Sequence, residues 1–245
     1  MSGATSPAGP ESPGALLASR YHEDPALSAE DIACSAGYRL LFEAVGFELH
    51  TGEWLQLTGP NGSGKTTLLR AIAGLVRPAR GTILWHGIPR MAGSPAWHAS
   101  MLFQGHHAGW KECLSTLENL SLQVQLDQGL GEGSAVPSAT SHEDALERCG
   151  LQGRGALSYA RLSAGQRRRL SLARLACSTH ALWLLDEPTT ALDSAGQSLF
   201  GRLLTEHLKR GGCAVVATHL PIATDSVPRV LDLGEHAGTA PKGLG

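Results

Sequence analysis

The sequence predicts an α/β fold built on a parallel sheet, and three observations carry that prediction. An apolar run (Trp54, Leu55, Leu57) leads into the glycine-rich loop Gly59-Pro60-Asn61-Gly62-Ser63-Gly64-Lys65-Thr66-Thr67, and a helical apolar pattern (Leu68, Leu69, Ile72) follows. A continuous apolar stretch at 181–185 ends in Asp186-Glu187-Pro188, as a strand covered on both faces would. A further apolar run at 213–218 ends at His219. In open parallel sheets ligands sit beyond the carboxyl ends of the strands, so the three termini point to one crevice.

The elements follow in chain order. Residues 1–19 hold Pro7, Pro10 and Pro13 with several glycines and serines and little that is apolar, which predicts a disordered extension; we set its limit at 1–28. It lacks the basic start and apolar middle of a secretory signal. From about Ala29 the pattern is strand-like, and 40–49 alternates loosely up to the turn His50-Thr51-Gly52. The helix after the glycine-rich loop is expected to run to Ala73, with Gly74 as its C-terminal cap and Pro78 blocking continuation. A short strand at 82–85 follows, so antiparallel strands should flank the first parallel one.

Residues 86–112 carry no clear periodicity. A helical segment at 117–126 precedes a Gly-, Ser- and Ala-rich stretch at 127–141 that reads as a surface loop. Ser163 with Gln166 three residues on has the form of a capping box, placing a helix start at Ser163. Arg167, Arg168 and Arg169 read mainly as the solvated face of that helix, with part of the run meeting phosphate or a second chain. A weak strand at 230–233 precedes a flexible tail, 236–245.

Composition narrows the function classes. The chain has 245 residues, 42% hydrophobic and 17% charged, with a net charge of -2, so it lacks the strongly basic balance of a nucleic-acid binder. No run approaches the roughly 18 consecutive apolar residues that span a bilayer. Five scattered cysteines without a C-x-x-C pair favour reduced thiols over disulfides or a metal site.

The chemistry of the motifs is explicit. Gly59, Gly62 and Gly64 let the backbone curl so that successive amides point at a polyphosphate, and the helix adds its positive N-terminal end. Lys65 can reach the β and γ phosphates and the Thr66 hydroxyl can ligate Mg²⁺. Asp186 suits the Mg²⁺ shell, and Glu187 can orient or deprotonate a water. Together these predict nucleoside triphosphate binding.

In order, the glycine-rich loop, Leu162-Ser163-Ala164-Gly165-Gln166, Asp186-Glu187, Ala191-Leu192-Asp193 and the strand-terminal His219 resemble the ATPase domain of an ABC transporter over roughly residues 29–235. The resemblance implies a RecA-like parallel-sheet core, an N-terminal antiparallel β subdomain and an inserted helical subdomain at about 108–178. It implies that Ser163 and Gly165 cap the γ phosphate of ATP bound to the opposite subunit, that Asp193 lies in a loop crossing the dimer interface, and that His219 meets the γ phosphate of its own chain. One copy of each motif means that two composite sites need two chains.

Two positions depart from the pattern. Counting back thirteen residues from Asn119 places His106 where this superfamily carries a glutamine, with Gln104 as the alternative. The adenine-stacking aromatic is expected at Ala36, and Tyr38 is a near miss. The stretch Gly105-His106-His107-Ala108-Gly109-Trp110-Lys111 resembles the G-H-x-x-G-x-K segment of the haem-exporter type ATPase of the bacterial cytochrome c maturation system, and the alanine in the signature agrees. That resemblance implies ATP and Mg²⁺ as cofactors, a homodimer on ATP binding, an integral membrane subunit as partner, no nucleic acid and no membrane span of its own. It implies a peripheral position on the cytoplasmic face of the inner membrane. An ABC ATPase for another cargo, or a soluble one acting on DNA or ribosomes, are the alternatives.

Overall fold

The computed structural model describes residues 25–91, 93–106, 109–129 and 140–238. Most of the expected extension, most of the 127–141 loop, His107, Ala108 and the end of the tail lie outside the described residues.

Two sheets organise the chain. β1 (Leu27–Ala36), β2 (Arg39–Leu49), β4 (Arg80–Trp85) and β5 (Ile88–Pro89) form an antiparallel sheet in the order β2-β1-β4-β5. β3 (Trp54–Thr58), β6 (Met101–Gln104), β7 (Leu182–Asp186), β8 (Cys213–Ala217) and β9 (Arg229–Asp232) form a parallel sheet in the order β6-β7-β8-β3-β9. The antiparallel strands flank β3 in sequence only, which corrects the expectation above. The hydrogen-bonded neighbours of β3 are β8 and β9, because the strand feeding the loop is buried on both faces and belongs among the inner strands of its own sheet.

The period-2 alternation of the parallel strands divides the core in two. Leu55, Leu57, Leu182, Leu184, Val215 and Ala217 face one way and pack with Phe42, Val45 and Ile83 of the antiparallel sheet and with Leu68, Leu69 and Ile72 of α1 (Lys65–Ala73). Trp54, Trp183, Leu185, Ala214 and Val216 face the other way. They meet α3 (Thr116–Gln128), α4 (His142–Arg148), α5 (Ala164–Ala176) and α6 (Ser194–Lys209). Helices α3 to α5 enter between β6 and β7, which are adjacent in the sheet, so this helical segment is an insertion that leaves the sheet order intact.

Helix ends behave as the sequence predicts. Gly64 and Gly74 both adopt left-handed backbone at the two ends of α1. Ser163 and Gln166 form the expected capping box on α5, and a second one, Ser115 with Glu118, opens α3. Residues 86–112, which read as featureless, hold β5, the six-residue α2 (Pro95–Ser100) and β6. Each is too short for a period to register. Two boundaries also move. β1 starts at Leu27, where Leu27 pairs with both Leu49 and Trp85, so the extension ends before residue 28. At the other end, the His236 carbonyl accepts from the Glu43 amide, Ala237 bridges to Phe42 and the Gly238 amide donates to the Leu41 carbonyl, so 236–238 are held against β2 and do not belong to the expected tail.

Candidate functional site

At the carboxyl end of the parallel sheet a cavity of about 400 Å³ is lined by Leu41, Asn61, Gly62, Gly64, Lys65, Thr66, Thr67, His106, Asp186 and Glu187. The loop between β3 and α1 is shaped by its glycines. Gly59, Gly62 and Gly64 have φ of 126°, 82° and 103°, conformations that an L side chain adopts only under strain. At Gly64 a Cβ would also lie 2.7 Å from the Phe42 ring, so the antiparallel sheet is packed directly against this turn. Pro60 and Ser63 close the loop through the bond from the Ser63 amide to the Pro60 carbonyl. Lys65 Nζ donates to the carbonyls of Gly59 (2.7 Å) and Pro60 (3.1 Å), which brings its ammonium over the loop.

β7 delivers the acidic pair. Asp186 is buried, and Thr66 Oγ1 donates to its Oδ2 at 2.9 Å, so the first turn of α1 and the end of β7 meet through oxygen atoms. That donor set, one hydroxyl and one carboxylate beside a phosphate cradle, fits Mg²⁺, which takes few protein oxygens and completes its shell with phosphate and water. No group of three or more His, Cys, Asp or Glu among the described residues could hold a metal ion by itself. Glu187 has a left-handed backbone, φ 48°. Its carboxylate lies 3.3 Å from His219 Nδ1 and accepts from Thr190 Oγ1 at 3.4 Å. His219 follows β8 and is exposed, so Glu187, Asp186 and His219 come from two adjacent strand ends, as their sequence positions predict.

The remaining candidates fall into place unevenly. His106 lines the cavity, whereas Gln104 is 1% exposed and its amide has no hydrogen-bond partner among the described residues. Tyr38 is fully exposed on the β1–β2 turn, and neither it nor Ala36 lines the cavity; Leu41 of β2, which the sequence did not single out, does. Ser163 and Gly165 sit at the N-terminal end of α5 and do not line the cavity of their own chain. Asp193 is the N-cap of α6, accepting from the Gly196 amide at 2.9 Å, and it pairs with Arg169 at 2.8 Å. The Gly196 bond, then the Arg169 charge, hold its carboxyl below the ordinary carboxylate range.

The three arginines after the signature are the largest departure from the sequence reading. Arg167 donates to the Leu162 and Ala160 carbonyls with its guanidinium 4.9 Å from the Tyr159 ring centre. Arg168 donates to the Glu187 carbonyl, and Arg169 reaches Cys149 as well as Asp193. All three are half-buried and engaged by groups of their own chain, so they are not a freely solvated face.

With this geometry in view, comparison with known proteins places the chain. A family model described as ABC transporter matches residues 42–190. The chain belongs to the ABC transporter family. Among individual relatives, this ABC ATPase is 41% identical over 214 residues to "Cytochrome c biogenesis ATP-binding export protein CcmA 1" of Salmonella paratyphi A, covering 86% of the chain and 99% of the relative. It is 41% identical over 216 residues to CcmA 2 of Cupriavidus metallidurans (88% and 99%) and 40% identical over 200 residues to CcmA of Aliivibrio fischeri (82% and 95%). Its fold matches the dimeric ATP-binding cassette MJ0796 in a post-hydrolysis state bound to ADP and Pi, with TM-score 0.65 and 25% identity over 79% of this chain and 88% of that one. A second dimeric structure of MJ0796 gives TM-score 0.69 at 22% identity, covering 85% and 95%. The ABC ATPase fold expected from the motifs is therefore the one observed. No helix among the described residues is long and apolar enough to cross a membrane.

Proposed function

We propose that this ABC ATPase is the ATP-binding and ATP-hydrolysing subunit of a transporter complex for cytochrome c maturation, of the haem-export type. The observation that carries the reading is identity near 41% to the CcmA proteins across 99% of their length, in a chain whose phosphate loop and acidic pair share one cavity and whose His219 lies against the Glu187 carboxylate.

In this scheme the amides of 59–64 and the N-terminus of α1 cradle the phosphates, and Lys65 clamps the β and γ oxygens. Thr66 and Asp186 hold Mg²⁺, which when bound neutralises charge on the phosphate oxygens. Glu187 orients and deprotonates the attacking water, His219 contacts the γ phosphate, and His106 fills the position held by glutamine elsewhere in the superfamily. Ser163 and Gly165, at the positive end of the 13-residue α5, meet the γ phosphate of the partner chain's ATP, with Asp193 on the interface. Two chains close on two ATP molecules and reopen after hydrolysis, and an integral membrane subunit receives that motion at the cytoplasmic face of the inner membrane.

The test is a tagged Glu187→Gln chain, extracted from membranes in detergent with ATP and Mg²⁺ and analysed by mass spectrometry. We expect a stalled dimer retaining an integral membrane subunit from the cytochrome c maturation set, and Lys65→Ala should lose roughly 10²-fold or more of turnover. A different membrane protein would replace the cargo assignment, and ribosomal or DNA-associated proteins alone would overturn the transporter reading.

A further inference from the structure

Glu187 needs an unusual backbone, and the residues that hold it there lie on both sides of the peptide. With φ 48° it is one of few non-glycine residues in the left-handed region, a conformation that costs of order 1 kcal/mol and persists only where the surroundings impose it. On its N-terminal side, the Glu187 amide donates to the Ala217 carbonyl at 2.8 Å, which ties that peptide plane to β8. On its C-terminal side the next residue is Pro188, which has no N–H, so the Glu187 carbonyl is the sole polar handle on that plane. The carbonyl accepts a long turn bond from the Thr190 amide at 3.3 Å and a charged bond from Arg168 Nη2. Both dihedrals of Glu187 lie between these two planes. Fixing the planes therefore fixes where the carboxylate points.

Arg168 is half-buried on α5, and its Nε finds no hydrogen-bond partner among the described residues. It lines a cavity of about 690 Å³ with His106, Trp110, Tyr159 and Thr190, between the segment carrying His106 and the loop after β7. Besides its bond to the Glu187 carbonyl, it sits in the field of the Glu187 and Asp186 carboxylates. A guanidinium bonded to a backbone carbonyl beside two carboxylates, in a cleft with room to shift, is poorly explained as packing alone.

We propose that Arg168 is a positioning residue for Glu187: it links the signature helix to the carboxylate of the same chain and holds that carboxylate at the angle hydrolysis needs. Resting on the ATPase reading above, this gives α5 two ends with different tasks. Its N-terminus meets the partner chain's nucleotide, and one turn later Arg168 steers hydrolysis at its own chain's site. Engagement of one nucleotide thereby sets the readiness of the other.

The experiment measures ATP turnover by the purified full chain with Mg²⁺ for Arg168→Met, Arg168→Gln and Arg168→Lys, with thermal melting of each. Misaiming a reacting group by an ångström lowers rates by up to about 10²-fold, so Arg168→Met should lower kcat by roughly ten-fold or more while KM for ATP stays within about two-fold. Arg168→Gln, which has a shorter uncharged donor, covers the case in which the methionine chain does not fold. Arg168→Lys retains a charged donor and should recover part of kcat. Added to Glu187→Gln, Arg168→Met should lower the residual rate no further, because the carboxylate it positions is already gone. Parental kcat in Arg168→Met, a rise in KM that accounts for the loss, or an additive loss in the double variant would each overturn the proposal. Lys65→Ala, run alongside, separates the two claims: if it too keeps full turnover, the ATPase site itself has been misassigned.

Discussion

His207 illustrates how one residue writes a pH dependence into the fold. It lies on the inward face of α6, 3% exposed, with its ring stacked on Trp183 at 4.0 Å between centroids and 5° between planes. Its Nε2 donates to the Cys213 carbonyl at 3.0 Å. Burial is the largest cause lowering its pKa to about 4 from 6.5, with the Arg210 and His180 charges acting the same way and the Cys213 bond opposing them. Because the folded value is depressed, the unfolded chain takes up the proton first. The stabilisation is whole above pH 6.5 and is lost as pH falls from 6.5 toward 4. Between pH 7 and pH 5 this amounts to about 2 kcal/mol. Urea unfolding at the two pH values should show that much more loss in the parent than in His207→Gln, which keeps a donor to Cys213 and does not titrate; equal slopes would remove His207 as the cause.

At the scale of elements, Asn119 does for a loop what Arg168 does for a strand end. Fully buried in the first turn of α3, its Oδ1 accepts from the Lys111 amide at 2.8 Å and its Nδ2 donates to the carbonyls of Lys111 (2.9 Å), Leu114 (3.3 Å) and Ser115 (3.0 Å). It thereby fixes the chain leading from the His106 segment into the inserted helices. Asn119→Ala strands several backbone groups at once, at about 1–3 kcal/mol for each that stays buried. We expect a melting temperature lower by several degrees and faster amide exchange across 111–115, with α1 exchange unchanged. Uniform acceleration throughout would mean that Asn119 stabilises the whole domain and not this loop.

What the sequence made legible at this scale has a common physical cause. The phosphate loop, the apolar strand ending in Asp186-Glu187 and the capping box at Ser163 are each contiguous stretches whose chemistry requires particular residues side by side. Arg168 works through a partner supplied by the fold: it meets a carbonyl 19 residues away across two elements, and its neighbours in the run looked like ordinary surface charge. Asn119 binds Lys111, Leu114 and Ser115, near in sequence but in an irregular stretch whose backbone path no periodicity describes. His106 was reachable by counting and by the G-H-x-x-G-x-K resemblance but not by periodicity, since the short elements around it leave no periodic trace, and that it lines the cavity while Gln104 is buried follows from where β6 ends. Leu41 was invisible because nothing in a β-strand pattern says which apolar residue will face a glycine turn from another sheet.

For the molecule as a whole, the separation of motifs decides how many chains make one site. Lys65, Thr66, Asp186 and Glu187 line one cavity, while Ser163 and Gly165 stand at the end of α5, away from that cavity. If the signature completes the partner's site, defects in the two halves must complement across chains. Lys65→Ala removes the phosphate clamp but leaves α5 intact. Ser163→Asp keeps an oxygen acceptor suited to the N-cap, so the helix still starts there, while setting a negative charge against the partner's γ phosphate. Each variant alone should be nearly inactive. Mixed in equal amounts, half of the dimers pair one of each and contain one intact composite site of two, so turnover should recover to about a quarter of the parental rate when the sites fire independently. Recovery would tie hydrolysis to a two-chain site; a mixture no more active than its components, with mixed dimers demonstrated by differential tags, would mean that each chain hydrolyses ATP within its own cavity.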